Sequence, residues 1–484
     1  MYSASADTLV TSLLDRVRDA GVVGAGGAGF PTHIKLDCKV EVLLVNAAEC
    51  EPLLATDKYL LNTHPDEIVE AASAVAKHVS ANKIHIAIKA VNEKEIASVR
   101  GAIAHLGSSV EIFPLDNYYP AGDEQMIVYD VTGRVVPPSG IPLDVGVVVS
   151  NSSTMWNIYH ALSGRPVTHK FLTVAGEVAR PTVLKVPVGT SFSECLNACG
   201  GSGLARFKII DGGPMMGTVL NDSEINSEIN PGRNSERNSA INSKCVTKTT
   251  SGIIVIPASG NFDACTHDTA TRKMLNRAKS ACVQCSFCTE LCPRHLIGHP
   301  LRPHRIMRCM AAMDFAAENP VLESPALETL KEALICSECG VCETFACPMG
   351  LSPRQVNKYV KKLLAGVRHA KNANEKKHEA PLVPDEMRKH RKIAPPKIMA
   401  RMGLQSLYEK KAEGFVELSP DRVRIPVKQH IGAPARPLVN VGDRVSLGQL
   451  IAEADGRVSA NVHASIDGVV VEVGSVIEIT KRGA

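Results

Sequence analysis

The sequence predicts a multidomain α/β + β chain, and three observations carry that prediction. The first third alternates buried strands with amphipathic helices. Two four-cysteine runs, Cys282 to Cys292 and Cys336 to Cys347, stand in helical sequence. From His430 onward the chain turns to short alternating strands cut by Gly-Asp turns. Alternation of strand and helix builds a mostly parallel sheet. Short strands between such turns build a small β-sandwich. At 484 residues the chain is long enough for about three domains.

Composition narrows the function classes. The formal charge of +4 is nearly balanced, so nothing points to nucleic acid. Aromatic content of 4% and a single tryptophan argue against base-stacking platforms. Fifteen cysteines include eight in the two runs; Cys38, Cys50, Cys195, Cys199, Cys245, Cys265 and Cys309 remain. An odd remainder beside CxxC clusters reads as a reduced cytoplasmic protein rather than a disulfide scaffold. The start MYSASADTLVTSLLDRVRDAGVVG lacks the basic, then apolar, then cleavable pattern of a signal peptide. No apolar stretch is long enough to predict a transmembrane segment.

In chain order, residues 7–20 predict an amphipathic helix, with Leu9, Leu13, Leu14 and Val17 on one face. Gly24, Gly26, Gly27 and Gly29 follow within six residues and end at Lys35. Such a backbone can approach a ligand closely and turn its N–H groups toward phosphate. Residues 40–46 (VEVLLVN) predict a buried strand. Asn46-Ala-Ala-Glu49-Cys50-Glu51-Pro52 lies at its C-terminal end, where open α/β sheets place ligands. Cys50 reads as a small buried residue rather than a reactive thiol. His64 to Val79 predicts a helix with Pro65 in its first turn. Strands at 83–90 and 110–114 flank a helix at 93–106. The polar loop holding Tyr119, Gly122 and Asp123 comes next, then a strand leading into Asn151-Ser-Ser-Thr154.

Each cysteine run reads C-x2-C-x2-C, then a fourth cysteine followed by proline. This is the bacterial ferredoxin pattern, in which the fourth cysteine serves the other cluster. The spacing therefore assigns Cys282, Cys285, Cys288 and Cys347 to one [4Fe-4S] cluster. Cys336, Cys339, Cys342 and Cys292 go to the second. The second run has four residues before its last cysteine rather than three. Zinc is the alternative for CxxC pairs, but two complete runs each closed by Cys-Pro favour iron–sulfur.

GAGGAGFPTHIK, NAAECEP, YPAGDEQ and NSST resemble, in order and separation, motifs of the flavin-binding domain of the respiratory NADH dehydrogenase flavoprotein subunit. The C subunit of the Rnf electron-transport complex shares that domain. The resemblance implies FMN contacts at Gly24, Gly26, Gly27, Lys35, Asn46, Glu49, Tyr119, Gly122, Asp123, Asn151 and Thr154, with Phe30 and Glu51 nearer the NADH. Ala25 stands where the respiratory protein has arginine, and Asp123 where it has glutamate.

The remaining segments follow the same families. Residues 170–201 resemble the soluble-ligand-binding (SLBB) β-grasp domain, with Cys195 and Cys199 read as core. Residues 221–244 repeat Ser-Glu-Ile-Asn and are too polar to bury a core. The Lys-, Arg-, His- and Pro-rich residues 366–425 read as a solvated basic linker with a short helix. The last segment resembles the lipoyl-like barrel-sandwich domain of the same Rnf protein, without a lysine at a hairpin tip to be lipoylated. The expected boundaries are 1–165 for the FMN/NADH-binding α/β domain and 166–260 for the β-grasp domain. The ferredoxin-like helical domain takes 261–365, the linker 366–425 and the barrel-sandwich 426–484.

This domain order resembles the cobalamin reductase family of propanediol-utilization microcompartments. The resemblance implies an NADH-dependent oxidoreductase holding FMN and two [4Fe-4S] clusters, with cobalamin as substrate. It also implies an adenosyltransferase partner, a microcompartment shell protein as a further partner, and a place inside a bacterial microcompartment. Hydride carries two electrons while cobalt takes one at a time, and flavin serves both. The alternative is an Rnf-like relay protein that passes NADH electrons to a ferredoxin or membrane partner. Among sixteen histidines no DxHxxG signature marks a corrinoid ligand, and no single residue is assigned as catalytic.

Overall fold

The computed structural model describes residues 12–220, 244–258, 271–313, 321, 324–365 and 382–481. The expected polar insert at 221–244 lies almost wholly outside these residues, as does the start of the first helix, which is seen as α1 (Leu13–Asp19).

The first unit is built on β1 (Val42–Asn46). It pairs in parallel with β2 (Lys83–Lys89) and β4 (Val147–Asn151), and β3 (Glu111–Leu115) pairs with β2. The sheet order is β3-β2-β1-β4. Helices cover it because their apolar faces need burial. In the helix Pro65–Val79, Pro65 starts the helix, Asp66 and Glu67 complement its N-terminal dipole, and Ile68, Val69, Ala72, Val75 and Val79 are buried. Parallel register places Asn46 directly beside Asn151 at the C-terminal edge of the sheet.

A six-stranded sheet follows, in the order β10-β6-β5-β9-β7-β8. Its strands are β5 (His169–Gly176), β6 (Thr182–Pro187), β7 (Phe207–Asp211), β8 (Thr218–Leu220), β9 (Gly252–Pro257) and β10 (Gly414–Glu417). The helix Phe192–Ala198 starts with a capping box in which Ser191 and Glu194 satisfy each other's backbone N–H. Cys195 and Cys199 are buried with Phe192 and Leu172 in this core, in keeping with the sequence expectation. Trp156 meets Phe171 edge-on at 5.0 Å, joining the flavin-type unit to this sheet. Such a pair is worth about 1 kcal/mol beyond its burial.

The helices Thr271–Ala281, Pro303–Ala312 and Pro353–Ala365 share a core that includes Leu275, Ile306, Met310, Val356, Val360 and Leu364. Cys309 sits half-buried on the middle helix. Residues Cys342–Ala346 form a single π turn, a wider loop that absorbs the extra residue of the second cysteine run. The final unit packs a four-stranded sheet against a three-stranded one around Val423, Ile425, Ile451, Val462 and Ile477.

The linker expectation is corrected for its described part. Residues 382–425 carry the helices Pro395–Arg401 and Gln405–Glu409 and strand β10, which pairs in parallel with β6. Two of their basic side chains are spent on the flavin-type unit rather than left to solvent. Arg388 pairs with Asp130 at 2.8 Å, and Lys392 pairs with Asp116 at 2.6 Å. Apolar side chains finish the docking: Phe415 stacks on Tyr59 with centroids 4.8 Å apart.

Candidate functional site

A cleft of about 610 Å³, including its open mouth, lies at the C-terminal edge of the parallel sheet. Asn46 and Asn151 end neighbouring strands there. Asn46 donates to the Gly122 carbonyl at 2.9 Å and accepts from the Ala48 N–H at 3.2 Å. Asn151 caps the helix Ser152–Leu162 and also donates to Asp57 at 3.1 Å. Asp57 is buried and accepts from the hydroxyls of Ser152 (2.7 Å) and Ser153 (3.1 Å). Glu49 accepts the Asp57 N–H at 2.7 Å. Burial first, then the Asp57 charge, push the Glu49 carboxyl up to about 8. Burial also raises Asp57 against its own hydrogen bonds.

Two cations face these acids. Lys170, buried on β5, donates to the Ala25 carbonyl at 2.9 Å. Burial brings its ammonium down to about 8, with Asp57 and Glu49 opposing. Lys89 is likewise lowered by burial. Glu51 accepts from the Met215 N–H at 3.0 Å, while its Oε1 is buried without a partner among the described residues. Burial raises its carboxyl to about 7. Gly213 is required beside it, since a Cβ there would lie 2.3 Å from the Glu51 carboxylate. Cys50 also lines the cleft, and burial pushes its thiol up to about 12, leaving an inert group.

Of the residues singled out from sequence, Gly26, Asn46, Glu49, Glu51, Gly122 and Asn151 line this cleft. The others support it or stand aside. The Gly24 N–H bonds to the Phe30 carbonyl at 3.0 Å and closes the glycine loop. Thr154 accepts from the Ala25 N–H at 3.0 Å. Nothing stands within 4 Å of a Cβ built at Gly27, and Phe30 is exposed. Lys35 is ion-paired with Glu124. Asp123 caps the helix Glu124–Thr132 with one oxygen and pairs with Arg294 at 3.0 Å through the other. Tyr119 is buried and turned toward the cysteines.

Sequence reading missed Asp57, Ser153, Lys170 and Phe171 as lining residues. Lys170 did carry a signal, because a lysine inside the otherwise apolar run KFLTVAG must find a buried partner.

The eight run cysteines fall into two sets by neighbourhood. Cys282, Cys285, Cys288 and Cys347 line one cleft of about 330 Å³. Burial pushes the Cys288 thiol up to about 12, with Cys282, Cys347 and Cys285 adding their charge. Cys292, although it belongs to the first run, is raised by burial and then by Cys339 and Cys336. Cys342 is raised by burial and by charges that include Cys336, Cys339 and Cys292. Each set thus takes three thiols from one run and one from the other, the exchange used by two-cluster ferredoxins. Thiols held neutral in this way release protons once metal charge is supplied.

The second set adjoins the flavin-type cleft. The Tyr119 hydroxyl donates to the Cys339 carbonyl at 2.8 Å. Tyr119, Met215 and Cys339 share one apolar cluster, and Cys50 packs against it. Met215 in turn bonds Glu51 through its N–H and accepts from Arg354 at 2.6 Å through its carbonyl.

Comparison with known proteins follows the same partition. Residues 17–160 match the Nuo51 FMN-binding domain, and residues 171–219 match the SLBB domain. Residues 281–352 match the 4Fe-4S dicluster domain, and residues 411–484 the RnfC barrel sandwich hybrid domain. Cobalamin reductase PduS of Salmonella typhimurium is 40% identical over 478 residues, spanning 97% of this chain and 95% of that protein. The chain belongs to the PduS cobalamin reductase family. The Citrobacter freundii PduS is 39% identical over 471 residues, 96% of this chain and 94% of its own. A more partial relative of this PduS-family chain is the C subunit of the proton-translocating ferredoxin:NAD(+) oxidoreductase complex of Clostridium ljungdahlii. It is 33% identical over 294 residues, 59% of this chain and 57% of that protein. This PduS-family member carries an FMN-binding domain and a 4Fe-4S dicluster domain.

Proposed function

We propose that the chain is an NADH-dependent cobalamin reductase, and the contact between Tyr119 and Cys339 carries the reading. That contact joins the flavin-type cleft to a four-cysteine set inside one packed core. When bound, FMN would accept the hydride pair and release single electrons, and two [4Fe-4S] clusters would carry them. The chain's residues fit these groups. Gly26 leaves the space beside Asn151 that a Cβ would enter, and the orphaned Glu51 Oε1 offers an acceptor for a bound ligand. Asn46, Glu49, Gly122 and Asn151 would orient the flavin, with Thr154 holding the glycine loop behind them. Gly24, Gly27, Phe30 and Lys35 fall outside the cleft lining, and on this reading they would serve the NADH side. Asp123, spent on a cap and an ion pair, would position the loop rather than touch FMN. Cys282, Cys285, Cys288 and Cys347 would hold one cluster, and Cys292, Cys336, Cys339 and Cys342 the other.

On this reading cob(III)alamin is reduced stepwise for an adenosyltransferase, and the protein works in the cytoplasm within a microcompartment alongside its shell proteins. No helix among the described residues is long and apolar enough to cross a membrane. The second reading, an Rnf-like relay to a ferredoxin or membrane partner, draws on the barrel-sandwich match at 411–484. Anaerobic reconstitution with iron, sulfide and FMN, followed by NADH and hydroxocobalamin, separates the two. Steady growth of the cob(II)alamin spectrum supports the reductase. Bleaching of flavin and cluster absorbance with an unchanged corrin spectrum supports the relay.

A further inference from the structure

Asn357 stands in the middle of the helix Pro353–Ala365 and is only 1% exposed. Both ends of its amide, Nδ2 and Oδ1, are buried without a hydrogen-bond partner among the described residues. Burying an amide unsatisfied is costly, and leucine would fill nearly the same volume without that cost. Asparagine is also a poor helix former in mid-helix. A group kept at such a position calls for a partner.

Its neighbours on the helix show which way the amide is turned. Arg354 lies three positions earlier and Lys361 four later, so the three share one side of the helix. Arg354 is buried and donates through Nη1 to the Met215 carbonyl at 2.6 Å and to the Glu338 carbonyl at 3.4 Å. Lys361 donates to the Cys336 carbonyl at 2.5 Å and to the Glu338 carboxylate at 2.8 Å. Glu338 lies between Cys336 and Cys339. The loop is shaped for this approach: Gly340 has φ +83°, and a Cβ there would lie 2.9 Å from Arg354 Nη1. The side chains about one turn to either side of Asn357 are therefore both committed to the loop of the second cysteine set. To the cleft of the first set this helix contributes Pro353 and not Asn357.

We infer that Asn357 is a positioning residue for the second [4Fe-4S] cluster, its side-chain N–H donating to a sulfur of that cluster or of its cysteine ligands and raising its reduction potential. The inference rests on the two-cluster reading and deepens it by naming what tunes the set beside the flavin-type cleft. A cluster held by four thiolates is an anion, and reduction adds one more negative charge. A donor aimed at its sulfurs favours the reduced state, most of all where water is excluded. Cys292, Cys339 and Cys342 are buried and meet that condition. Arg354 and Lys361 are each offset by an acid, Glu343 and Glu338. The Asn357 amide has no opposing group among the described residues.

The test uses the full reconstituted protein, with the two EPR signals assigned by Cys282→Ser and Cys336→Ser. Asn357→Leu keeps the volume and removes the donor. In a potentiometric titration followed by EPR, the reduced-to-oxidised ratio of the second cluster at a fixed potential should fall about tenfold, or about 59 mV for one electron, through loss of one charge-assisted hydrogen bond. The first cluster should keep its parent midpoint. A merely structural asparagine would leave both midpoints in place, and that result overturns the inference, as does a shift confined to the first cluster. If Asn357→Leu does not assemble, the parent protein decides. Labelled with nitrogen-15 in its asparagine side chains, it should show a nitrogen-15 coupling to the reduced second cluster by pulsed EPR, and a second cluster without that coupling overturns the inference. A parent that assembles fewer than two clusters defeats the two-cluster reading itself, before any variant is made.

Discussion

The Tyr119 hydroxyl donates a 2.8 Å hydrogen bond to the carbonyl of Cys339. Tyr119 belongs to the loop that closes the flavin-type cleft, and Cys339 to the second cysteine set. One side chain therefore spans the two sites, and both residues are buried.

The cross-run pairing makes a prediction about spectra. Cys347→Ser should remove the same cluster as Cys282→Ser, although the two residues lie in different runs. Cys292→Ser should match Cys336→Ser. Iron analysis should show roughly half the parent content in each, following the two-cluster exchange. EPR of the reduced proteins checks it, and a Cys347→Ser spectrum like that of Cys336→Ser would contradict the assignment.

Arg294 and Asp123 form a 3.0 Å ion pair with side chains only 10% and 13% exposed. Removing one member leaves a buried charge alone, at a cost of about 3 kcal/mol or more. Arg294→Ala should lower the denaturant midpoint accordingly, and Arg294→Ala with Asp123→Asn should recover part of the loss. Chemical denaturation of the two variants measures this.

Lys170 is buried against Asp57 and Glu49 at the floor of the cleft. Lys170→Met keeps the stem and removes the cation. FMN retention should weaken about tenfold, one charge-assisted contact's worth. Flavin fluorescence on dilution reads the dissociation constant, and the pH optimum of flavin retention should shift with it.

Lys248 is buried and donates to the Gly21 and Asn461 carbonyls at 2.6 Å each, joining three units of the fold. Burial lowers its ammonium from 10.5 to about 7. Between those values the unfolded chain binds the proton that the folded chain has lost. Stability from this group therefore rises as pH climbs from 7 toward 10.5, by about 5 kcal/mol. Lys248→Met should flatten that rise, as thermal melts across the pH range would show.

Much of this was legible in the sequence because local chemistry dictates it. Alternation of strands and helices gave the parallel sheet, and cysteine spacing gave both sets, including the crossed places of Cys292 and Cys347. NAAECEP sits where its strand end puts it. The rest depended on tertiary context. Nothing local tells whether a basic stretch is solvated, and Arg388 and Lys392 proved to be paired with acids more than 250 positions earlier. Asp123 read as a ligand contact because its loop was recognised, yet its partner Arg294 comes from the ferredoxin-like segment. Lys170 reached the cleft from a different unit, along a strand whose neighbours no short motif reveals.

An anaerobic titration decides whether electrons from NADH reach the corrin. NADH is added in small known amounts to the reconstituted protein with hydroxocobalamin in excess, and cob(II)alamin is counted spectroscopically. About two cob(II)alamins per NADH are expected, the ratio set by a hydride donor and a one-electron acceptor. NADH consumed with flavin and cluster bleaching but no cob(II)alamin would contradict it.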